Sequence, residues 1–287
     1  MEVTLIDALR GAAIERMEGG VTYRCVPLEA IREAGHRFGT ANREAAALGL
    51  DEGLVPLRYI KNMGTIGPEG QARLLRSKVV VIGAGGIGGQ AAELLVRMGA
   101  GALSLVDPDV FDETNLNRQN FACGDVLGMP KVEVVRDRLL EIDQDVEVTA
   151  YRLAADAGNL PDLLEGASVV VDALDNLDDR LVLQEACSDA DIVMAHGAIA
   201  GTSLQATTIF PGEVGLASFM PLGGGSEKTR GIEVETGNPA TTPALAAVIQ
   251  VQEAVSVILG REPALRGKLL YIDLEDWSVE FIELNGS

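Results

Sequence analysis

The sequence predicts an α/β protein. A parallel sheet covered by helices on both faces is extended by antiparallel strands toward the C-terminus and preceded by a helical N-terminal appendage. Three observations predict this. Between about residues 77 and 196, short β-branched runs alternate with helical stretches, which is how a doubly covered parallel sheet is built. Beyond residue 196 the segments alternate apolar and polar residues, the period of half-buried antiparallel strands. The first 57 residues hold only short amphipathic pieces separated by glycines. The division drawn from these shifts is 1–57 for the extension and 58–287 for the main domain.

In the extension, PLEAIREA (27–34) and ANREAAAL (41–48) have helical spacing. The main domain opens with KVVVI (78–82), a first strand, followed at once by GAGGIG (83–88) and a helix to residue 98. ALSLVD (102–107) is the second strand, and a helix runs from 131 to about 142. VEVTAY (146–151), ASVVVDAL (167–174) and DIVMAH (191–196) are the third to fifth strands. SLQATTIF (203–210) and the segment 268–284, with a turn near 275–276, supply the antiparallel part. A Gly/Pro-rich stretch at 221–243 is too long for a simple connection, which points to a functional or moving loop. The apolar run at 243–259 contains Gln250, Gln252 and Glu253, so it reads as a buried helix and not a membrane span.

Composition excludes several roles. The 287 residues are 47% hydrophobic, enough for a sizeable core. The 43 acids against 23 bases give a net charge of −20, which argues against nucleic acid and anionic membranes as partners. Cys25, Cys123 and Cys187 are too scattered for a disulfide framework or a CxxC metal site, and a reducing cytoplasm suits them. The N-terminus carries early acids and no long apolar core, so it does not read as a signal peptide.

Function concentrates around the first strand. Gly83, Gly85, Gly86 and Gly88 form GxGGxG between a strand and a helix, where the backbone can approach a phosphate and the helix N-terminus offers free N–H groups. Asp107 ends the next strand, the place of a carboxylate that accepts from ribose hydroxyls. Those features do not separate NAD from ATP. Asn115, Arg118 and Gln119 cluster just beyond, Lys131 opens the following helix, and Asp175 follows the fourth strand. Cations for phosphate oxygens and a carboxylate for a metal suit a triphosphate with Mg2+, and a hydride-transfer site does not need them.

The set GxGGxG, DPDV…NLNRQ, PKVE and DALDN, in this order, resembles the ThiF/MoeB/HesA superfamily, the adenylating domain related to ubiquitin-activating enzymes. RYIKN (58–62) and the following GPEGQ are similar to that family's lead-in, so the resemblance runs from Arg58 to the C-terminus. It implies a Rossmann-like fold and an ATP-dependent adenylyltransferase. It also implies a site in which Asp107 binds ribose, Arg118 and Lys131 contact the triphosphate, and Asn115 and Gln119 support the pocket. Asp175 would hold Mg2+ and be essential for chemistry. Arg58 would reach into the partner's site of a homodimer. Lys61 and Asn62 stand where the family has Arg and Gln, and a lysine lacks the planar guanidinium fork. The implied substrate is the C-terminal Gly-Gly carboxylate of a ubiquitin-like sulfur carrier, with 221–243 as the crossover loop over its tail.

Two departures shape the expectation. The paired CxxC zinc clip of many relatives is missing, and no cysteine follows Cys187 to take an acyl group in the crossover loop. The expected product is an acyl-adenylate without an enzyme thioester. Cys187 reads as buried, Cys123 as ambiguous, and His36 as structural or solvated. His196 reads as a core or turn histidine, Trp277 and the late aromatics as core, and Asp109 and Asp112 as solvated. The alternatives are a tRNA threonylcarbamoyl-adenosine dehydratase of the same superfamily and a non-catalytic nucleotide-binding scaffold. From residue 156 to 191 ten acids face the single base Arg180. A small cationic pocket in an anionic exterior follows, with a carrier that docks through apolar contacts or a basic face.

Overall fold

Parallel strands need crossover helices, and the alternation read above supplies them. In the computed structural model, which describes residues 3–219 and 236–284, β4 (Lys78–Ile82), β5 (Ala102–Val106), β6 (Glu147–Tyr151), β7 (Val169–Asp172) and β8 (Met194–Ala200) run parallel. The helices α5 (Gly86–Met98), α6 (Lys131–Ile142), α7 (Leu160–Leu164) and α8 (Leu177–Asp189) lie between them in the chain. β9 (Ser203–Ile209), β10 (Lys268–Asp273) and β11 (Ser278–Glu283) continue the sheet antiparallel, in the order β11-β10-β9-β8-β7-β4-β5-β6. The chain leaves β4 toward β5 and β6, then returns to the other side of β4 for β7. That reversal makes the crevice beyond the C-terminal ends of β4, β5 and β7 the place for a ligand.

β4 and β7 are buried along nearly their whole length, which explains their unbroken valine and isoleucine runs. One core, with Val79, Val81, Leu95, Leu103, Leu105 and Val171, lies under α5 and α9 (Thr241–Ile258). A second, with Val80, Ile82, Leu164, Val170 and Leu183, lies on the opposite face. Among the described residues only α9 is long and apolar enough to cross a membrane, and it is half buried, with Gln250 and Glu253 bonded in the interior.

The appendage is helical in part. It holds α1 (Leu5–Ala12), α2 (Leu28–Phe38) and α3 (Asn42–Asp51). It also holds a sheet the sequence did not announce: the hairpin β1 (Ile14–Glu18) and β2 (Val21–Val26), with β3 (Leu54–Pro56) parallel to β2. β1 is largely exposed and charged, and β2 buries only Cys25 and Val26 at its end, so no alternating apolar pattern marked them. Their turn rests on Gly19 and Gly20, both at positive φ. α4 (Gly67–Arg76) leads into β4.

The late aromatics are not core. Trp277 is 75% exposed and Phe281 60%, because β11 is the outermost strand and nothing described covers it. Trp277 takes φ +60° in the β10–β11 turn. The expected crossover loop at 221–243 lies outside the described residues up to residue 235.

Candidate functional site

Strand register brings the motifs together. Ile82 pairs with Val106 on one side and Asp172 on the other, so Gly83, Asp107 and Ala173 leave the sheet at one level. Gly83 donates to Val106 O and Ala173 to Ile82 O, which fixes the two turns against each other. Gly83 has φ +99°, and a Cβ there would lie 2.4 Å from Ala173 O. A Cβ on Gly88 would lie 1.8 Å from Gly83 O. Only glycine lets the loop and the first turn of α5 close this tightly. Gly85 precedes α5, Gly86 is its first residue, and no side chain caps its N–H groups. The helix N-terminus is therefore open to an anion.

Asp107 sits beside this loop, 7% exposed. Its Oδ2 accepts from Ala84 N–H (2.7 Å) and its Oδ1 from Asp109 N–H (2.8 Å). Burial pushes its carboxyl above the ordinary value, against Lys131 and those two N–H groups. A pair of hydroxyl donors would bring the ionised form back down. Asn115 and Gln119 are buried on the following turn, where Asn115 Oδ1 accepts from Asp112 N–H. Gln119 lies against Gly85, and its buried Oε1 has no hydrogen-bond partner among the described residues. An unmet acceptor next to a glycine cradle fits a ligand that brings its own donor.

The cations are placed unequally. Lys131 is buried and donates to Asp109 Oδ2 at 2.9 Å. Asp109 is thus the partner of Lys131 and not merely solvated; Asp112 caps a short turn by accepting from Thr114 N–H. Arg118 donates to Thr114 O and Asn117 Oδ1, both at 2.9 Å, and pairs with no carboxylate among the described residues. Its charge stays available to a phosphate. Asp175 lies on the turn after β7, exposed, with its Oδ1 3.4 Å from Asn176 Nδ2. Among the described residues no group of three metal-ligating side chains exists. One free carboxylate beside a phosphate cradle still fits Mg2+, which takes one or two carboxylates and completes its shell with substrate oxygens and water.

Arg58 is not part of this cluster. It donates from Nη1 to Asp143 (2.8 Å) and from Nη2 to Ile142 O (3.2 Å) at the end of α6. That is near Gly101 and Val146, at the opposite edge of the sheet from Asp107. Lys61 pairs with Glu18 at 2.7 Å, and Asn62 donates to Gln71, so neither faces a nucleotide in its own chain. Cys187 is buried and Cys123 exposed.

Sequence reasoning read His196 as a core or turn histidine, which its burial bears out, and named Arg180 and Gln250 separately, but it passed over Asp172 and the buried polar group the four residues form beneath the Asp175 turn. The available signal was a carboxylate inside an otherwise apolar strand, VVVD, with a histidine opposite it on the next one.

Comparison with known proteins supports the fold and identifies the family. Solved structures of E. coli MccB, one with ATP, match at a TM-score of 0.70 with 22% identity, covering 80% of this chain and 72% of theirs. Among curated proteins, the SAMP-activating enzyme E1 of Haloferax volcanii is 37% identical over 227 residues, covering 78% of this chain and 84% of the relative. The sulfur carrier protein ThiS adenylyltransferase of Bacillus subtilis is 36% identical, covering 70% of this chain and 60% of its own length. The sulfur carrier protein adenylyltransferase of Thermus thermophilus is 32% identical, covering 75% and 82%. Residues 58–286, which hold every residue of the site just described, match the ThiF family, and the chain belongs to it.

Proposed function

We propose that this chain, an ATP-dependent adenylyltransferase, activates the C-terminal glycine carboxylate of a small ubiquitin-like sulfur-carrier protein. The observation that carries this is the convergence of the glycine loop, Asp107, Lys131 and Asp175 on one sheet edge, in a chain whose relatives act on sulfur carriers. In the reaction a carrier carboxylate oxygen bonds to the α-phosphorus of ATP. The bond from that phosphorus to the bridging oxygen breaks, and pyrophosphate leaves with the electron pair. The chain's share is positioning and charge neutralisation. Asp107 orients the ribose, the α5 N-terminus faces phosphate oxygens, and Arg118 and Lys131 offset their charge. Asp175 would hold Mg2+, which when bound shields the departing phosphates.

Other observations support the partners. Arg58 lies away from its own chain's nucleotide edge, held by Asp143 and Ile142 O; in a homodimer it would act in the partner's site. Val110, Leu127 and Met129 form exposed apolar surface beside the nucleotide segment, suited to such a contact. Trp277 in the β10–β11 turn and Val279 and Phe281 on the outermost strand are exposed and suit a carrier that docks through apolar contacts. Burial pushes the Cys187 thiol up to about 12, so it is no nucleophile, and the acyl group passes as adenylate to a separate sulfur donor.

The test is ATP–pyrophosphate exchange with a Gly-Gly-tailed carrier. Exchange that requires the carrier and Mg2+, and that Asp175→Ala abolishes, supports the assignment; unchanged exchange in that variant sinks the site. A tRNA substrate is disfavoured by the net charge of −20. Low-salt filter binding with tRNA should show no retention.

A further inference from the structure

Asp172 is the last residue of β7, and its carboxylate is wholly buried. Oδ1 accepts from Leu174 N–H at 3.0 Å. Oδ2 lies 2.6 Å from His196 Nδ1 and 3.9 Å from Arg180 Nε. Arg180, in the first turns of α8, donates from Nη2 back to Leu174 O. Leu174, the residue before Asp175, is therefore held at its N–H by Asp172 and at its C=O by Arg180. On the far side, Asn176 caps α8 by accepting from Asp179 N–H at 2.9 Å. The strand ends beneath are tied by Gln250, which donates from Nε2 to Asp172 O (2.7 Å) and Ala195 O (2.9 Å). The turn is pinned on both sides of Asp175, whose exposed carboxylate lies 3.4 Å from Asn176 Nδ2.

Such a group is costly to keep. A buried carboxylate needs charge and donors around it, and a well-packed apolar cluster is often as stable or more so. Here the cost is visible: His196 Nε2 and Arg180 Nε are buried without hydrogen-bond partners among the described residues. Burial pushes the Asp172 carboxyl up, but Arg180, His196 and Leu174 N–H outweigh it and hold it below its ordinary value. An ionised Asp172 places the imidazole proton on Nδ1. None of the three side chains reaches the crevice, yet two of them grip the residue that aims Asp175.

We propose that Asp172, Arg180 and His196 form a positioning clip for Asp175: His196 orients the Asp172 carboxylate, which together with Arg180 fixes Leu174 and so sets where the Asp175 carboxylate stands. This rests on the adenylation reading, in which Asp175 acts on Mg2+ and ATP. A purely structural role would lower stability without singling out Asp175.

The experiment compares Arg180→Lys, His196→Ala and His196→Asn with wild type in carrier-dependent ATP–pyrophosphate exchange. Arg180→Lys keeps the charge and loses the fork; His196→Asn puts an amide donor where Nδ1 stands. The expected result is a fall in kcat of about 10- to 100-fold for Arg180→Lys and His196→Ala, with KM for ATP within about twofold of wild type. His196→Asn should recover most of it. Unchanged kcat, or no recovery in His196→Asn, would overturn the clip. Amide exchange at Leu174, read by mass spectrometry or NMR, needs no activity. It should quicken in Arg180→Lys, and equal protection overturns the clip. Wild type without carrier-dependent exchange would instead overturn the adenylation reading, while Leu174 still reports on the clip.

Discussion

Gly88→Ala isolates the contact between the glycine loop and α5. Alanine is the better helix former, by about 0.5–1 kcal/mol over glycine, so propensity alone predicts a gain. The geometry predicts the opposite. The new Cβ would sit 1.8 Å from Gly83 O, 2.8 Å from Gly83 C and 3.1 Å from Ala173 Cβ, and the nearest two are backbone. Restoring ordinary contact near 3.4 Å needs a shift of about 1.6 Å between the loop and the helix. Overpacking of this kind costs about 1–3 kcal/mol, which exceeds the propensity gain. A displacement above about 1 Å at a phosphate site lowers turnover by about 100-fold or more. Gly89→Ala, one residue beyond the motif, is the control: its Cβ meets Asn120 Oδ1 at 3.0 Å and Phe121 Cδ2 at 3.4 Å, both side-chain atoms, so small adjustments suffice. Calorimetric ATP binding, thermal unfolding and carrier-dependent exchange should all fall in Gly88→Ala and stay near wild type in Gly89→Ala. A Gly88→Ala protein with wild-type Tm and wild-type ATP affinity would refute the claim that this contact shapes the cradle.

Arg58→Ala and Asp175→Ala should each be inactive, and mixing them after dissociation should restore about a quarter of the sites, since half the dimers carry one intact composite site; no restoration would place Arg58's action within its own chain. Cys123→Ser should leave exchange unchanged, with no carrier thioester on non-reducing mass spectrometry. Phe281→Ser, on the exposed last strand, should raise KM for the carrier about tenfold or more while KM for ATP stays put, since burial of one aromatic contributes about 1.5–3 kcal/mol; equal shifts in both would detach that strand from carrier docking. Burial holds His196 below its ordinary value of 6.5, against the pull of Asp172. The unfolded chain therefore takes up a proton there that the native state refuses. Stability is retained above about pH 6.5 and falls as pH drops below it. His196→Asn should flatten Tm against pH between 6.5 and 5.

The parallel sheet was readable because its cause is local: buried strands of valine and isoleucine, each followed by a helical period, leave few topologies. The nucleotide edge was readable for the same reason, since Gly83, Asp107 and Ala173 each sit one residue past a strand end and register does the rest. The β1–β2 hairpin was not, because Glu15, Arg16 and Met17 are exposed on a strand that buries almost nothing. Trp277 and Phe281 misled through composition: aromatic residues at β spacing read as core, but edge position is a property of the whole sheet. The Asp172–His196 pair depends on two strands 24 residues apart meeting in register, and each residue alone has a bland explanation.

The packing around Arg58 changes how the N-terminal segment can be tested. Deleting residues 1–54 is the obvious way to ask whether it selects the carrier. Yet Tyr59, Met63, Ala72 and Leu75 share one buried cluster with Leu9, Ile31, Ala45 and Leu50. Arg32 and Asn42 hold Asp145 at 2.9 Å, and Arg43 holds Gly101 O at 2.7 Å and Glu147 at 2.7 Å, all at the edge where Arg58 meets Asp143. Deletion would expose three large side chains, at about 1.5–3 kcal/mol each, and strip partners from a half-buried carboxylate. That loss is comparable with a typical total stability of about 5–15 kcal/mol. It would also free Arg58 from its anchored position. A truncated protein should therefore unfold or lose activity whether or not the segment touches a carrier. Met17→Glu, on the 73% exposed tip of the hairpin, separates the cases. Tm should hold, and a rise in KM for one carrier but not another would assign selection to this segment. Unchanged KM across carriers, with Tm intact, would leave the segment the single task of holding Arg58 against Asp143.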